Sequence, residues 1–274
     1  MDREQLEDIE IQLLLEGIYR YYGFDFRNYA LASLKRRIWN IVRLEGLTSV
    51  SGLQEKILHD SECMERFLYN LSVNVTTMFR DPHFFLTFRN KVIPILRTYP
   101  FIRIWHAGCS TGEEVYSMAI ILQEEGLYHR TRLYATDIND LVLRKAKAGI
   151  FSLKLMQEYT HNYILAGGKK SFSEYYTAAY EHAIFSSSLK ENIIFSQHNL
   201  ATDSSFNEFN IILCRNVLIY FNKTLQKQVH NLFYESLVRF GVLGLGRQET
   251  LRFTPHEKDF EELDSSQKLY RRIH

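Results

Sequence analysis

From about residue 100 the chain alternates short apolar runs with stretches of helical periodicity, and this alternation constrains the fold more than any other feature of the sequence. "FIRIWHAG" reads as a strand entering a glycine loop, and "EEVYSMAIILQEEG" as a helix ending at Gly126. "TRLYATDIN" reads as a second strand and "LVLRKAKAGIF" as a second helix. "NIIFSQHNL" and "FNIILCRNV" read as further strands, followed by a long helix over "KTLQKQVHNLFYESLVRFG". "VLGLGRQE" and "QKLYRRI" read as the closing strands. Strands joined through helices imply a parallel sheet covered on both faces. The segment "YTHNYILAGGKKSFSEYYTAAYEHAIFSSSLKEN" breaks the alternation, and its Tyr and Phe content predicts a small inserted lobe of short strands at about 168–190.

The first part of the chain has a different texture. Leu6, Ile9, Leu13, Leu14, Ile18 and Tyr21 recur at helical spacing, and Gly23 is a helix stop. Further helices are expected over about 28–44 and 51–58, and "DSECMERFLYNLSV" continues the pattern. No proline precedes Pro82, so residues 1–72 are expected to form a helical bundle, 73–99 a linker and 100–274 an α/β domain. Hydrophobic residues make up 46% of the chain, enough for a sizeable core. Lys+Arg 33 against Asp+Glu 32 leaves a net charge of +1, so no overall field draws the chain to nucleic acid or to a membrane surface. Cys63, Cys109 and Cys214 show neither metal-ligand nor disulfide spacing, which fits a reducing cytoplasm. The charged N-terminus and the lack of any apolar run near ~20 residues give the expectation of a cytoplasmic protein without membrane insertion.

The chemistry concentrates in "WHAGCSTGEEVYSMAI", a glycine loop between a strand and a helix. Gly108 and Gly112 let backbone approach a ligand, but no lysine follows Gly112, which argues against a triphosphate loop. The spacing is not G-x-G-x-x-G, which argues against a dinucleotide. Glu113 and Glu114 stand at the helix start, where the helix dipole favours carboxylates. They also suit a ligand with a cationic amino-acid end. S-adenosylmethionine is such a ligand, carrying an ammonium and a sulfonium and no phosphate. Asp137, 25 residues beyond Gly112 at the tip of the second strand, suits the two hydroxyls of a ribose. The competing reading, in which Asp137 caps the next helix, is better filled by Asn139 or Asp140. Asn199 and Leu200 at a third strand tip offer an amide and an apolar contact to an adenine. Arg215, Asn216 and Tyr220 follow a buried strand at a fourth tip.

"AGCSTGEEVYS", "ATDIN", "ILCRNVLIYFN" and "NVTTMFRDPHFF" resemble, in order, the CheR family of chemotaxis-receptor methyltransferases, and so does "YALASLKRRIWNIV". The resemblance implies a Rossmann-like class I methyltransferase sheet with a small inserted β lobe, preceded by an all-α N-terminal bundle. It implies transfer of a methyl group from S-adenosylmethionine to receptor glutamates, with S-adenosylhomocysteine as product and no metal. By the same resemblance Asn74, Thr76 and Arg80 contact the cofactor from the linker, Glu114 receives the methionyl ammonium and Asp137 the ribose. Asn199 and Leu200 frame the adenine, Arg215 and Asn216 line the pocket, and Tyr220 stands near the transferred methyl. Tyr220 and Arg80 are the residues expected to serve catalysis. The chain departs from the family at Arg247-Gln248, where a His-Ser pair is frequent. The 168–190 lobe corresponds to the subdomain with which some family members hold a receptor tail peptide.

In "LKRRIWNIVR", Lys35, Arg36, Arg37 and Arg43 form either a solvated helix face or a dock for acidic receptor helices. The partners expected are the cytoplasmic helices of methyl-accepting receptors, not nucleic acid, with the enzyme a monomer. Two other functions fit the same residues: methyl transfer to a different acceptor, or cofactor binding by an inactive adaptor.

Overall fold

The structure, a computed structural model, describes residues 3–72 and 76–274. Asn74 therefore lies outside the described residues. The first four helices are α1 (Arg3–Tyr22), α2 (Leu31–Leu44), α3 (Val50–His59) and α4 (Ser61–Leu71). Side chains close two of their starts: Ser49 accepts from the Gly52 amide and Asp60 from the Glu62 amide. The bundle core gathers Ile11, Leu14, Leu15 and Ile18 of α1 against Leu34, Ile38, Leu53, Ile57 and Phe67. Each such buried side chain contributes about 2 kcal/mol.

The helical reading of α1 holds, but its expected face is corrected. Leu14 and Ile18 point inward, while Leu6, Ile9, Leu13 and Tyr21 are exposed. The heptad-like run misled because Ile11 and Leu15 supply the other inward positions. α2 begins at Leu31 rather than near 28, because Asn28 lies in a turn, Ala30 is extended, and residues 28–30 pair with the chain around Tyr220.

Two short helices, α5 (Pro82–Thr87) and α6 (Ile93–Leu96), flank a π turn at Phe88–Val92 and bring the chain to the sheet. Phe84, Phe85 and Phe88 are buried there. Next come β1 (Ile102–Ala107), α7 (Glu113–Glu124), β2 (Thr131–Asp137) and α8 (Asp140–Ala148). They are followed by β3 (Ile150–Ser152), α9 (Met156–Leu165), β4 (Tyr176–Ala179), β5 (His182–Phe185) and β6 (Ile193–Gln197). The chain ends with β7 (Phe209–Cys214), α10 (Lys223–Ser236), β8 (Leu237–Leu245), β9 (Phe260–Asp264) and β10 (Leu269–Arg272).

The main sheet has the order β6-β2-β1-β7-β8-β10-β9. Its first five strands are parallel, in a register that sets Ile104 beside both Leu133 and Ile211. The expectation of a parallel sheet is corrected at one edge, where β10 runs antiparallel to both β8 and β9. A short loop joins β9 to β10, and a parallel pair would need a crossover of a dozen or more residues. The long helix also ends earlier than its sequence pattern implies. The backbone becomes extended at Leu237, and "LVRFG" belongs to β8.

The inserted lobe is a three-stranded antiparallel sheet, β3-β5-β4, and it draws on sequence well before residue 168. Gly149, at φ +65°, ends α8 and turns "IFS" into β3. The lobe is fastened by the buried carboxylate of Glu124, which pairs with Arg89 and accepts from the Tyr175 hydroxyl and the Lys169 amide, each at 2.9 Å. Successive strands run one way from β1 to β2 and β6, and the other way to β7 and β8. The fold therefore has its switch point, where ligands bind in such sheets, between β1 and β7.

Candidate active site

A cleft enclosing about 1140 Å³, part of it open to solvent, lies at that switch point. The bundle closes its far side through Phe26, Tyr29, Arg37, Leu68 and Leu71. Of the residues singled out in the sequence, Thr76, Arg80, Gly108, Glu114, Asp137, Asn199, Leu200, Arg215, Asn216 and Tyr220 all line this cleft.

The loop after β1 is built for close approach. Gly108 has φ +78°, and a Cβ there would stand 2.5 Å from Val217 Cγ2. The amides of Gly108 and Cys109 donate to the Thr136 carbonyl, each at 2.8 Å, so the loop is tied to the end of β2. One oxygen of Asp137 accepts from the Ser110 amide at 2.9 Å and the other from the Asn139 amide at 3.0 Å. Burial pushes the Asp137 carboxyl above the usual carboxylate range, and the backbone donors offset only part of that rise. Asn139 caps α8, accepting from the Leu141 amide at 3.0 Å, so Asp137 is not needed for capping.

The two glutamates at the start of α7 part company. Glu113 is buried, turned toward Thr111 Oγ1 at 2.6 Å and the Tyr159 hydroxyl, and burial raises its pKa. Glu114 faces the cleft. Its carboxylate meets His106 Nδ1 at 2.9 Å and accepts from Arg215 Nη1 at 3.0 Å. Burial would raise the Glu114 pKa, but the His106 hydrogen bond and the Arg215 charge outweigh it and hold the group below its ordinary value. Both terminal nitrogens of Arg215 are engaged: besides the bond from Nη1 to Glu114, Nη2 donates to Asp81 at 2.9 Å and to the Arg80 carbonyl at 3.1 Å, and the guanidinium lies over the Phe84 ring. Asn199 spends its side-chain oxygen on the Ala201 amide at 3.0 Å, which fixes the turn beside the cleft.

Tyr220 sits where three parts of the chain meet. Its carbonyl accepts from the Ala30 amide at 2.8 Å, and Tyr29 bridges to Phe221. Arg37 stacks on the Tyr220 ring and donates to the Leu71 carbonyl at 2.6 Å. The notion of four basic residues on one docking face is corrected by this geometry. Arg37 belongs to the cleft wall and Lys35 pairs with Asp8 of α1, which leaves Arg36 and Arg43 exposed on α2.

Sequence reasoning passed over His106, Asp81, His198 and Glu249. The first two are partners of Glu114 and Arg215, and His198 lines the cleft. Asp81 and Glu249 take their roles from partners distant along the chain, and His106 meets Glu114 only through the turn of the loop between them.

These residues suit S-adenosylmethionine. Two carboxylates, Glu114 in the first turn of α7 and Asp137 at the tip of β2, complement an ammonium and a ribose diol. The Ser110 hydroxyl and Arg215 Nε are buried without a partner, so polar atoms remain to be satisfied beside the cleft. The crowding of Gly108 against Val217 leaves backbone rather than a side chain on that part of the lining.

Comparison with known proteins agrees. Residues 74–269 match the CheR methyltransferase SAM-binding domain, and residues 9–72 match the CheR methyltransferase all-alpha domain. A Pseudomonas putida protein named methyltransferase Cher3, a name given provisionally, is 53% identical over 272 residues, covering 99% of this chain and 100% of that one. The chemotaxis protein methyltransferases of Listeria monocytogenes and Escherichia coli are each 28% identical, over 85% and 90% of this chain and 87% and 86% of their own lengths. Among the described residues no helix is long and apolar enough to cross a membrane. The chain belongs to the CheR methyltransferase family and is an S-adenosylmethionine-dependent methyltransferase.

Proposed function

We propose that this enzyme methylates glutamate side chains on the cytoplasmic helices of chemotaxis receptors, giving glutamate methyl esters and S-adenosylhomocysteine. The observation that carries this reading is that both signs of charge line one cleft. The carboxylates of Glu114 and Asp137 share the lining with the guanidiniums of Arg37, Arg80 and Arg215 and with Tyr220. The carboxylates suit a cationic donor and the guanidiniums suit an anionic acceptor. The names of the Listeria and Escherichia relatives support a chemotaxis role.

The donor supplies an activated methyl and its own leaving group. A glutamate acceptor has a pKa of about 4.3 and is ionised at neutral pH, so the protein need not supply a base. Its task is alignment, bringing the carboxylate oxygen to roughly 3 Å from the methyl, in line with the bond that breaks. A carboxylate gripped by a tight ion pair is a poor nucleophile. Arg215, already committed to Glu114 and Asp81, can shape the wall without gripping the acceptor. Tyr220 offers the acceptor one weaker hydrogen bond, or its ring edge to the methyl. In this reading Asn74, Thr76 and Arg80 hold the cofactor from the linker side, Asp137 takes the ribose, and Asn199 with Leu200 frames the adenine. Exposed Arg36 and Arg43 attract acidic receptor helices.

Transfer of tritiated methyl to receptor-containing membranes tests the proposal. The expected product is base-labile label on receptor. Base-stable label, or label on another acceptor, contradicts it, as does cofactor binding with no transfer.

A further inference from the structure

Glu249 is a buried carboxylate outside the cleft lining, and none of the roles above uses it. One of its oxygens accepts from the amides of Val217 and Leu218, each at 2.8 Å. The other accepts from the Asn216 amide at 3.1 Å and from the Gly246 amide. Three consecutive amides converge on one carboxylate because Asn216 is left-handed, at φ +62°. Such a run of N–H groups forms a concavity suited to an anion, and here the chain fills it with its own glutamate. The contact is close enough to require glycine at 246, where a Cβ would stand 2.7 Å from Glu249 Oε2 and 2.8 Å from the Asn216 nitrogen.

The segment held this way carries Arg215 and Asn216 on the cleft wall, with Tyr220 in the turn that follows. Val217, pinned on one side by Glu249, fills on the other side the space beside Gly108. One carboxylate therefore sets the spacing between the β7 tip and the loop after β1. We infer that Glu249 is a positioning residue, holding residues 215–220 in the shape that the cofactor requires.

The Glu249→Gln variant keeps the size of the side chain but turns an amide N–H₂ toward backbone donors. Its affinity for S-adenosylhomocysteine, titrated calorimetrically, should fall about 10- to 100-fold while the protein stays folded, the range seen when groups that orient a site are lost. Gly246→Ala displaces the carboxylate without neutralising it and should weaken binding to a smaller degree. Glu124→Gln removes an equally buried carboxylate at the lobe and should lower Tm while leaving the affinity within about twofold, since Glu124 touches no part of the cleft. A folded Glu249→Gln protein that binds like the wild type overturns the inference. So does a Glu124→Gln protein that loses as much affinity, because the loss then reflects general destabilisation. If Glu249→Gln does not fold, Gly246→Ala decides, and unchanged affinity in it refutes the role. The titration needs no methyl acceptor, so its failure leaves the proposed acceptor untouched.

Discussion

The Arg37 guanidinium lies over the Tyr220 ring, 4.5 Å from its centroid, so the helical bundle reaches into the wall of the cleft beside the residue expected nearest the chemistry. The same bundle pairs its backbone with the Tyr220 segment at Ala30 and Asn28. Arg37→Ala should therefore reduce turnover rather than cofactor binding. Cation–π contacts of this kind are worth about 1–2 kcal/mol when partly desolvated, which corresponds to roughly a tenfold lower kcat. Initial rates at saturating donor, set beside calorimetric titration with S-adenosylhomocysteine, separate the two effects. A variant with full turnover and weakened affinity contradicts the assignment.

If Asp137 takes the ribose as proposed, cofactor affinity should depend on pH. Its carboxyl titrates above the usual range because it is buried, and a carboxylate must be ionised to accept from both hydroxyls of a ribose. Affinity for S-adenosylhomocysteine should weaken as pH falls through that raised pKa, and Asp137→Asn should bind weakly with a flatter profile. The sign for the free protein is opposite. A carboxyl with a raised folded pKa binds its proton more tightly when folded, so it adds stability as pH falls. Titrations from neutral to mildly acid pH, with parallel melting curves, check both directions.

Gly108 and Gly126 both have positive φ, but only Gly108 is crowded. Gly108→Ala adds steric collision with Val217 to backbone strain and should lower S-adenosylhomocysteine affinity by about tenfold or more. Gly126→Ala meets nothing within 4 Å and should lower stability by roughly 1 kcal/mol with affinity unchanged. Equal loss of affinity in both variants contradicts a local role for the loop.

Within the bundle, Glu45 accepts from Arg66 and pairs with Lys56 at 2.8 Å, and these contacts, Arg66 first, depress its pKa to about 2. A depressed carboxylate contributes stability that is fully present above its unfolded value of 4.5 and is lost as pH falls toward about 2. Arg66 is partly exposed, so solvent screening limits the effect. Glu45→Gln should destabilise the protein by about 1 kcal/mol at neutral pH, and the difference should begin to shrink below pH 4.5. Denaturant unfolding of both proteins at several pH values measures it.

What could be read from the sequence was whatever depends on local order along the chain. Gly108, Asp137, Asn199 and Asn216 each end a strand or lie within two residues of a strand end, and parallel strands deliver their ends to one crevice, so recognising the strands places those residues together. Features that depend on the partner surface stayed hidden. The exposed Leu6, Ile9 and Leu13 match a helical stripe as well as the buried Ile11, Leu14 and Leu15 do, and only packing chooses between them. Arg37 reads as one basic residue among four until Tyr220 is seen beneath it. The antiparallel β9–β10 edge escaped because β9 has no pronounced apolar pattern. Glu249 bonds only to backbone amides, which no side-chain motif reveals.

The most direct test of the central claim is a crystal structure grown with S-adenosylhomocysteine. The account predicts density at the strand tips, with the ribose hydroxyls on Asp137, the amino-acid end beside Glu114 and the adenine against Asn199 and Leu200. A nucleoside bound elsewhere, or one that leaves Asp137 and Glu114 without contact, would contradict it.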